Sequence, residues 1–211
     1  MMPTLYHVHD PMCSWCYAFA PTWEHIAAAV TGSMSIQYVL GGLAPDSDQP
    51  MPEDLKAYIQ NTWRRIQAVV PGTEFNFDFW TRCQPRRSTY PACRAVLAAK
   101  HFDADLERPM IERIQHAYYR EARNPSDTET LCELAGEIGI DVAAFGDRLG
   151  SQACDNELRS EFEKRRALGV TGFPSLVLET DAGITLVRHD YVEPRVTLEA
   201  LDELLGGGLG L

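Results

Sequence analysis

Leu5-Tyr6-His7-Val8-His9-Asp10-Pro11-Met12-Cys13-Ser14-Trp15-Cys16 is the stretch on which the reading of the fold turns. Leu5 to His9 form a short strand candidate, and Pro11 stops ladder pairing just beyond it. From Ser14 the apolar residues Cys16, Phe19, Ala20, Trp23, Ile26, Ala27 and Val30 recur at three- and four-residue steps, the period of an amphipathic helix closing near Gly32. Pro21 inside that helix predicts a kink or a break. Ser35 to Leu40 read as a second strand, ended by Gly41-Gly42. A strand-helix-strand unit of this length is expected to be parallel and right-handed, with function-bearing loops at the carboxyl ends of the strands.

Outward from this unit, residues 51–168 carry helical periods and no strand. Leu55, Ile59, Thr62, Ile66 and Val69 make one stripe; Ala92, Val96 and Ala99 a second; Ile111, Ile114 and Tyr118 a third. Ser126-Asp127-Thr128-Glu129 has capping-box spacing before a helix that Gly139 would stop. Asp141 is placed to cap a short helix ending near Gly150, and residues 152–168 make another. Strand character returns in Ser175 to Glu179 and Ile184 to Arg188, joined by Asp181-Ala182-Gly183 as a hairpin connection. A helix from Val196 to Leu205 follows, and the Gly206 to Leu211 tail is expected to fray. The order is therefore βαβ, an all-helical insertion, then ββα. Residues 1–50 and 169–211 form one α/β unit, and 51–168 an inserted helical domain.

The 211 residues are long enough for a substantial core, and 45% hydrophobic with 23% charged residues is the composition of an ordinary globular chain. A net charge of −11 argues against a nucleic-acid partner, which needs a concentrated basic face. Arg86-Arg87 and Lys164-Arg165-Arg166 are too short to supply one. No basic-plus-apolar leader is visible at the N-terminus and no apolar run reaches membrane-spanning length, so a cytoplasmic protein without a membrane partner is expected.

Six cysteines stand at 13, 16, 83, 93, 132 and 154, and only Cys13 and Cys16 are closely spaced. Cys13 falls at the helix start and Cys16 one turn on, near enough to form a disulfide. Unpaired N–H groups and the helix dipole favour an anion at the exposed first position, so Cys13 is the candidate nucleophile with a depressed pKa. Cys16 would resolve the mixed disulfide, without metal or organic cofactor. Zinc would want a second close pair that is absent, and two buried structural thiols remain the plain alternative. Gly169-Val170-Thr171-Gly172-Phe173-Pro174 precedes the third strand. It reads either as an ordinary turn or as a cis Phe173-Pro174 loop beside the thiols, and spacing leaves both open.

Asp10 to Tyr17 after an N-terminal strand, together with Gly169 to Pro174 near the far end, resembles the DsbA-like branch of the thioredoxin superfamily. Within it the similarity is greatest to FrnE-like predicted protein-disulfide isomerases of bacteria, and it spans nearly the whole chain. The resemblance implies a thioredoxin fold with a helical insertion and a thiol-disulfide oxidoreductase. It also implies Cys13 as nucleophile, Cys16 as resolving thiol and Pro174 in cis, with Ser14, Trp15, Thr171 and Phe173 as substrate contacts. Protein or low-molecular-weight disulfides and thiols, glutathione among them, are the implied partners. Ser14-Trp15 places no imidazole between the thiols, unlike the strongly oxidising periplasmic members. His7 stands where many relatives bury an acid, as a candidate acceptor of the Cys16 proton or as a packed strand histidine. Thr89 to Ala95 resembles the start of an insertion helix facing the site in glutathione-binding relatives, which makes Cys93 either a third functional thiol or a small buried hydrophobe. Trp15, Tyr17 and Phe19 are rim or core. A kappa-class-like glutathione transferase or isomerase and a non-catalytic adaptor are the competing functions.

Overall fold

A computed structural model describes residues 2–209. The elements are β1 (Thr4–His9), α1 (Ser14–Val30), β2 (Ser35–Leu40), α2 (Glu53–Val69), α3 (Phe79–Arg82), α4 (Tyr90–Phe102), α5 (Glu107–Arg120), α6 (Thr128–Glu137), α7 (Val142–Leu149), α8 (Gln152–Ala167), β3 (Ser175–Thr180), β4 (Gly183–Val187) and α9 (Pro194–Leu204). A single turn of 3-10 helix, Ala104–Leu106, joins α4 to α5. The sheet order is β2-β1-β3-β4. β1 pairs parallel with β2, Thr4 opposite Ser35, and antiparallel with β3, Leu5 opposite Leu178. The Asp181-Ala182 turn makes β3 and β4 an antiparallel hairpin. This is a thioredoxin-type sheet with the helices α2 to α8 inserted between its second and third strands.

Central position explains why Leu5 to His9 are buried at every residue rather than alternately: β1 has a partner on each edge and packing on each face. One face meets α1 and α9 through Leu5, Phe19, Trp23, Ile26, Leu176, Leu178 and Leu201. Each such side chain contributes about 1.5–3 kcal/mol by leaving water. The other face carries Tyr6, Val8, Val39 and Val177 beneath Val170 and Phe173. A separate helical core is built around Trp63, Phe79, Met110, Tyr119, Leu131 and Phe145, and it reaches the sheet unit through Met12, Ala18 and Leu40.

Several expectations are corrected. α1 runs unbroken through Pro21, because its packing on both sides, Phe19 and Trp23 on the sheet and Ala18 on the helical core, outweighs one missing N–H. In α2 the buried residues are Trp63 and Ile66, whereas Val69 is exposed; the large indole, stacked on Phe75 at 4.8 Å, sets the inward direction. Ser126 does not cap α6: its hydroxyl donates to the Ser88 carbonyl, and Asp127 at the N-cap is drawn to Arg86 instead. The C-terminal tail is tied down as far as Leu209, whose N–H donates to Asp202 and whose side chain packs beside α9; Gly210 and Leu211 lie outside the described residues. Asp141 and Gly139 act as expected, the first capping α7 through Ala144 N–H and the second taking φ +87° beyond α6.

Candidate redox site

β1 ends at His9, and the chain turns through Asp10, Pro11 and Met12 into α1. The turn closes where Cys13 N–H donates to the Asp10 carbonyl at 3.0 Å. Cys13 is the N-cap of α1, with extended backbone (φ −82°, ψ 116°), and Ser14 begins the helix. In its thiol form Cys13 makes no capping bond to the helix; its Sγ–H is directed at the Phe173 carbonyl, 3.7 Å away. As a thiolate it is favoured first by the Cys16 thiol, then by the N–H groups of Cys16 and Trp15 at the helix start, against burial and the nearby Asp10. The net direction is downward from an ordinary thiol. Burial pushes Cys16 well upward, and donation to Cys13 adds to it, so Cys16 stays a protonated donor. Both sulfurs are free thiols.

Cys13 was expected at an exposed end, and here the structure differs: the residue is 7% exposed and Cys16 2%. The Phe173-Pro174 loop stands in front, with the peptide bond in cis. Tyr119 and Tyr191 lie near enough for the sulfur charges to raise their own pKa values, although burial is the larger cause for each. Little of Cys13 is therefore open to solvent, and the Phe173 carbonyl of the cis-proline loop faces its sulfur.

Of the expected substrate contacts, Ser14 and Phe173 are half-buried and Thr171 is exposed. Trp15 is half-buried, its ring 4.9 Å from Tyr191 and beneath the Arg65 guanidinium at 5.9 Å. Phe19 belongs to the core, and Tyr17 stacks on Tyr119 at 4.5 Å. A Cβ on Gly41, at the end of β2, would lie 2.1 Å from Phe173 Cε1, so glycine there is what lets the Phe173 ring settle.

His7 packs among Trp23, His9, Tyr38 and Phe19, its ring 4.4 Å from Trp23. Neither of its ring nitrogens has a hydrogen-bond partner, nor does His9 Nε2. Both histidines share a cavity of about 40 Å³ with Cys16, Trp23, Tyr38, Arg108 and Gln115, enough for a water molecule. Burial holds His7 well below the usual imidazole range and His9 at about 4, so both are neutral near pH 7.

In the sequence Asp10 reads as the start of the motif before Cys13, with no role in the site. It is fully buried, and its carboxylate accepts from Met12 N–H (2.8 Å), Leu43 N–H (2.6 Å), Thr89 Oγ1 (2.7 Å) and Cys93 Sγ (3.6 Å). Cys93 is therefore a closed-off donor, with no exposure to solvent. Cys83 and Cys154 donate to the carbonyls of Ala122 and Arg94. Among the described residues no group of three or more His, Cys, Asp or Glu is arranged to hold a metal, and no helix is long and apolar enough to cross a membrane.

The family model of the DSBA-like thioredoxin domain matches residues 4–195. The crystal structure of a candidate protein disulfide isomerase from Nitrosomonas europaea superposes with a TM-score of 0.85 at 26% identity, covering 98% of each chain. The cytosolic disulfide reductase DsbM from Pseudomonas aeruginosa gives 0.75 at 28% identity, covering 96% of this chain and 98% of its own; its structure with GSH gives 0.71 at 27% identity, covering 99% and 100%. The ClpXP adapter protein SpxH of Halalkalibacterium halodurans is 22% identical over 96% of this chain and 67% of its own length.

Proposed function

The chain belongs to the DSBA-like thioredoxin domain family, and on that premise we propose that it is a cytoplasmic disulfide reductase with isomerase capacity. In this reading Cys13, Cys16 and Pro174 form its catalytic centre, and residues 1–50 with 169–211 form the catalytic domain around the 51–168 helical insertion. The observation that carries the reading is the N-cap placement of Cys13. One sulfur is a favoured anion while its neighbour a turn away is a favoured thiol.

The Cys13 thiolate attacks a substrate disulfide, forming a mixed disulfide and expelling the first substrate sulfur as a thiolate that takes a proton from water. Cys16 then gives up its proton and attacks Cys13 Sγ. The Cys13–Cys16 bond forms, the second substrate thiol leaves, and two electrons have passed to the substrate. The expelled substrate sulfur takes that proton; His7, the other candidate acceptor, lies unpartnered with His9 in the Cys16 cavity, but burial disfavours its charged form and suits it to packing there. Two low-molecular-weight thiols such as glutathione would restore the dithiol and leave as their disulfide; the GSH-bound relative supports that choice. Substrate would approach over Trp15, Ser14, Thr171 and the Phe173 backbone.

Insulin reduction driven by glutathione tests the reading. Cys13→Ala should abolish it, and Cys16→Ala should accumulate mixed disulfides through Cys13. Reduction surviving Cys13→Ala overturns it. The likeness to SpxH favours a second reading, an adaptor that binds a partner by the apolar rim at Trp15. Partner capture indifferent to both cysteine changes but lost in Trp15→Ala would establish that one instead. Conjugation of glutathione to an electrophile persisting in Cys16→Ser would point to kappa-class-like transfer.

A further inference from the structure

The site holds a buried carboxylate that the exchange steps above do not use. Asp10 lies between the redox turn and the inserted helices, and its four hydrogen-bond donors come from three places: the turn itself (Met12), the loop after β2 (Leu43) and α4 with its N-cap (Cys93 and Thr89). Burial raises the Asp10 pKa, and the four donated hydrogen bonds oppose that rise by favouring the carboxylate, whose charge no cation among the described residues balances by direct contact. The titratable groups that face it are Cys13 and Cys16 on α1, Cys93 on α4, and Tyr118 and Tyr119 on α5, and its charge disfavours an anion on each of them.

We propose that Asp10 is a positioning residue that pins the redox turn to the helical insertion and, by the repulsion of its buried charge, biases the Cys13–Cys16 couple toward the disulfide, making the dithiol a reductant. The inference deepens the oxidoreductase reading and rests on it. The physical reason is linkage. Reduction of the disulfide creates the Cys13 thiolate, so whatever disfavours that anion disfavours the reduced state, and whatever favours it makes an oxidant. Ser14-Trp15 supplies no cation between the thiols to offset Asp10. The helix N-terminus keeps Cys13 nucleophilic while Asp10 limits how far the reduced form is stabilised, so attack and reducing power coexist in one sulfur.

The experiment is equilibration of the full-length chain with mixtures of reduced and oxidised glutathione, together with the pH midpoint of Cys13 alkylation. Disulfide plus two glutathione is in balance with dithiol plus glutathione disulfide. Asp10→Asn should shift this balance toward the dithiol by roughly tenfold, about 30 mV more oxidising for a two-electron couple, and should lower the alkylation midpoint. Asp10→Ser, whose hydroxyl can still accept from the N–H two residues on, removes the same charge with a different side chain and should move both readouts the same way. Asp10→Glu keeps the charge and should move both back toward wild type, whereas a merely structural role would lower thermal stability in all three variants and leave the balance unmoved. If the wild-type chain forms no glutathione-reversible Cys13–Cys16 disulfide, the oxidoreductase reading and this inference both fall. If the disulfide forms but the balance and midpoint are unchanged in Asp10→Asn and Asp10→Ser, the role of Asp10 alone is overturned.

Discussion

Mild acid should loosen this fold through His9, and the size of the effect follows from where the ring sits. His9 is the last residue of the central strand, 2% exposed, with its Nε2 unpartnered in the small cavity behind Cys16. Burial lowers its pKa from 6.5 to about 4. The folded-state value is depressed, so the stability that depends on a neutral His9 is fully present above the unfolded value. It is lost as pH falls from there through the folded value, because the unfolded chain binds the proton first. Working the linkage between those two values gives a loss of about 2 kcal/mol by about pH 5 and about 3 kcal/mol by about pH 4. Urea unfolding of wild type and His9→Phe, repeated between about pH 7.5 and about pH 4.5, measures it. Any cost of the ring swap itself is the same at every pH, so the readout is the slope, and the wild-type curve should fall more steeply than that of His9→Phe across the acid range. Curves that stay parallel would refute the assignment of a buried, neutral His9. His7, also depressed by burial, should add a slope of its own that survives in His9→Phe.

Gly41→Ala should destabilise the protein by about 1–3 kcal/mol and slow Cys13 alkylation, since the new methyl would meet the Phe173 ring at 2.1 Å and displace the segment whose carbonyl faces Cys13; chemical denaturation and iodoacetamide kinetics measure the two effects. Trp63→Ala, removing a fully buried indole from the insertion core, should cost about 3–5 kcal/mol, read as a fall in the unfolding midpoint. In the native protein near pH 7, mass spectrometry after brief alkylation should find Cys13 modified while Cys16 and Cys93, both pushed upward by burial, stay unmodified. Breaking the exposed Arg108–Glu112 pair by Glu112→Gln should change stability by less than about 1 kcal/mol, measured in the same denaturant series.

What could be read from the chain alone was what short-range chemistry encodes. The short strand candidate Leu5 to His9 and the three- and four-residue steps from Cys16 to Val30 are set within a few residues, and the elements appear where they place them. The strand-helix junction at Cys13, the Asp141 cap and the hairpin at Asp181-Ala182 are equally local. Where a residue had a distant partner, local reading failed. Ser126 left its capping role for Ser88, and Trp63 rather than Val69 set the inward face of α2. Cys13 itself, legible as a helix-start thiol, was sheltered by a loop 160 residues away. Asp10, read only as the start of the motif before Cys13, showed no role of its own because its partners Leu43, Thr89 and Cys93 are separated from it by 33, 79 and 83 residues. The sequence by itself determined the four strands and the longer helices, their order and the thiol pair, but not the short α3 or the Ala104–Leu106 turn, because backbone propensity and side-chain period act between neighbours and need several residues to show. The burial of Cys13, the neutral histidines behind Cys16 and the carboxylate at Asp10 were decided only by tertiary structure, since desolvation and hydrogen bonding depend on what the rest of the chain brings within a few ångströms.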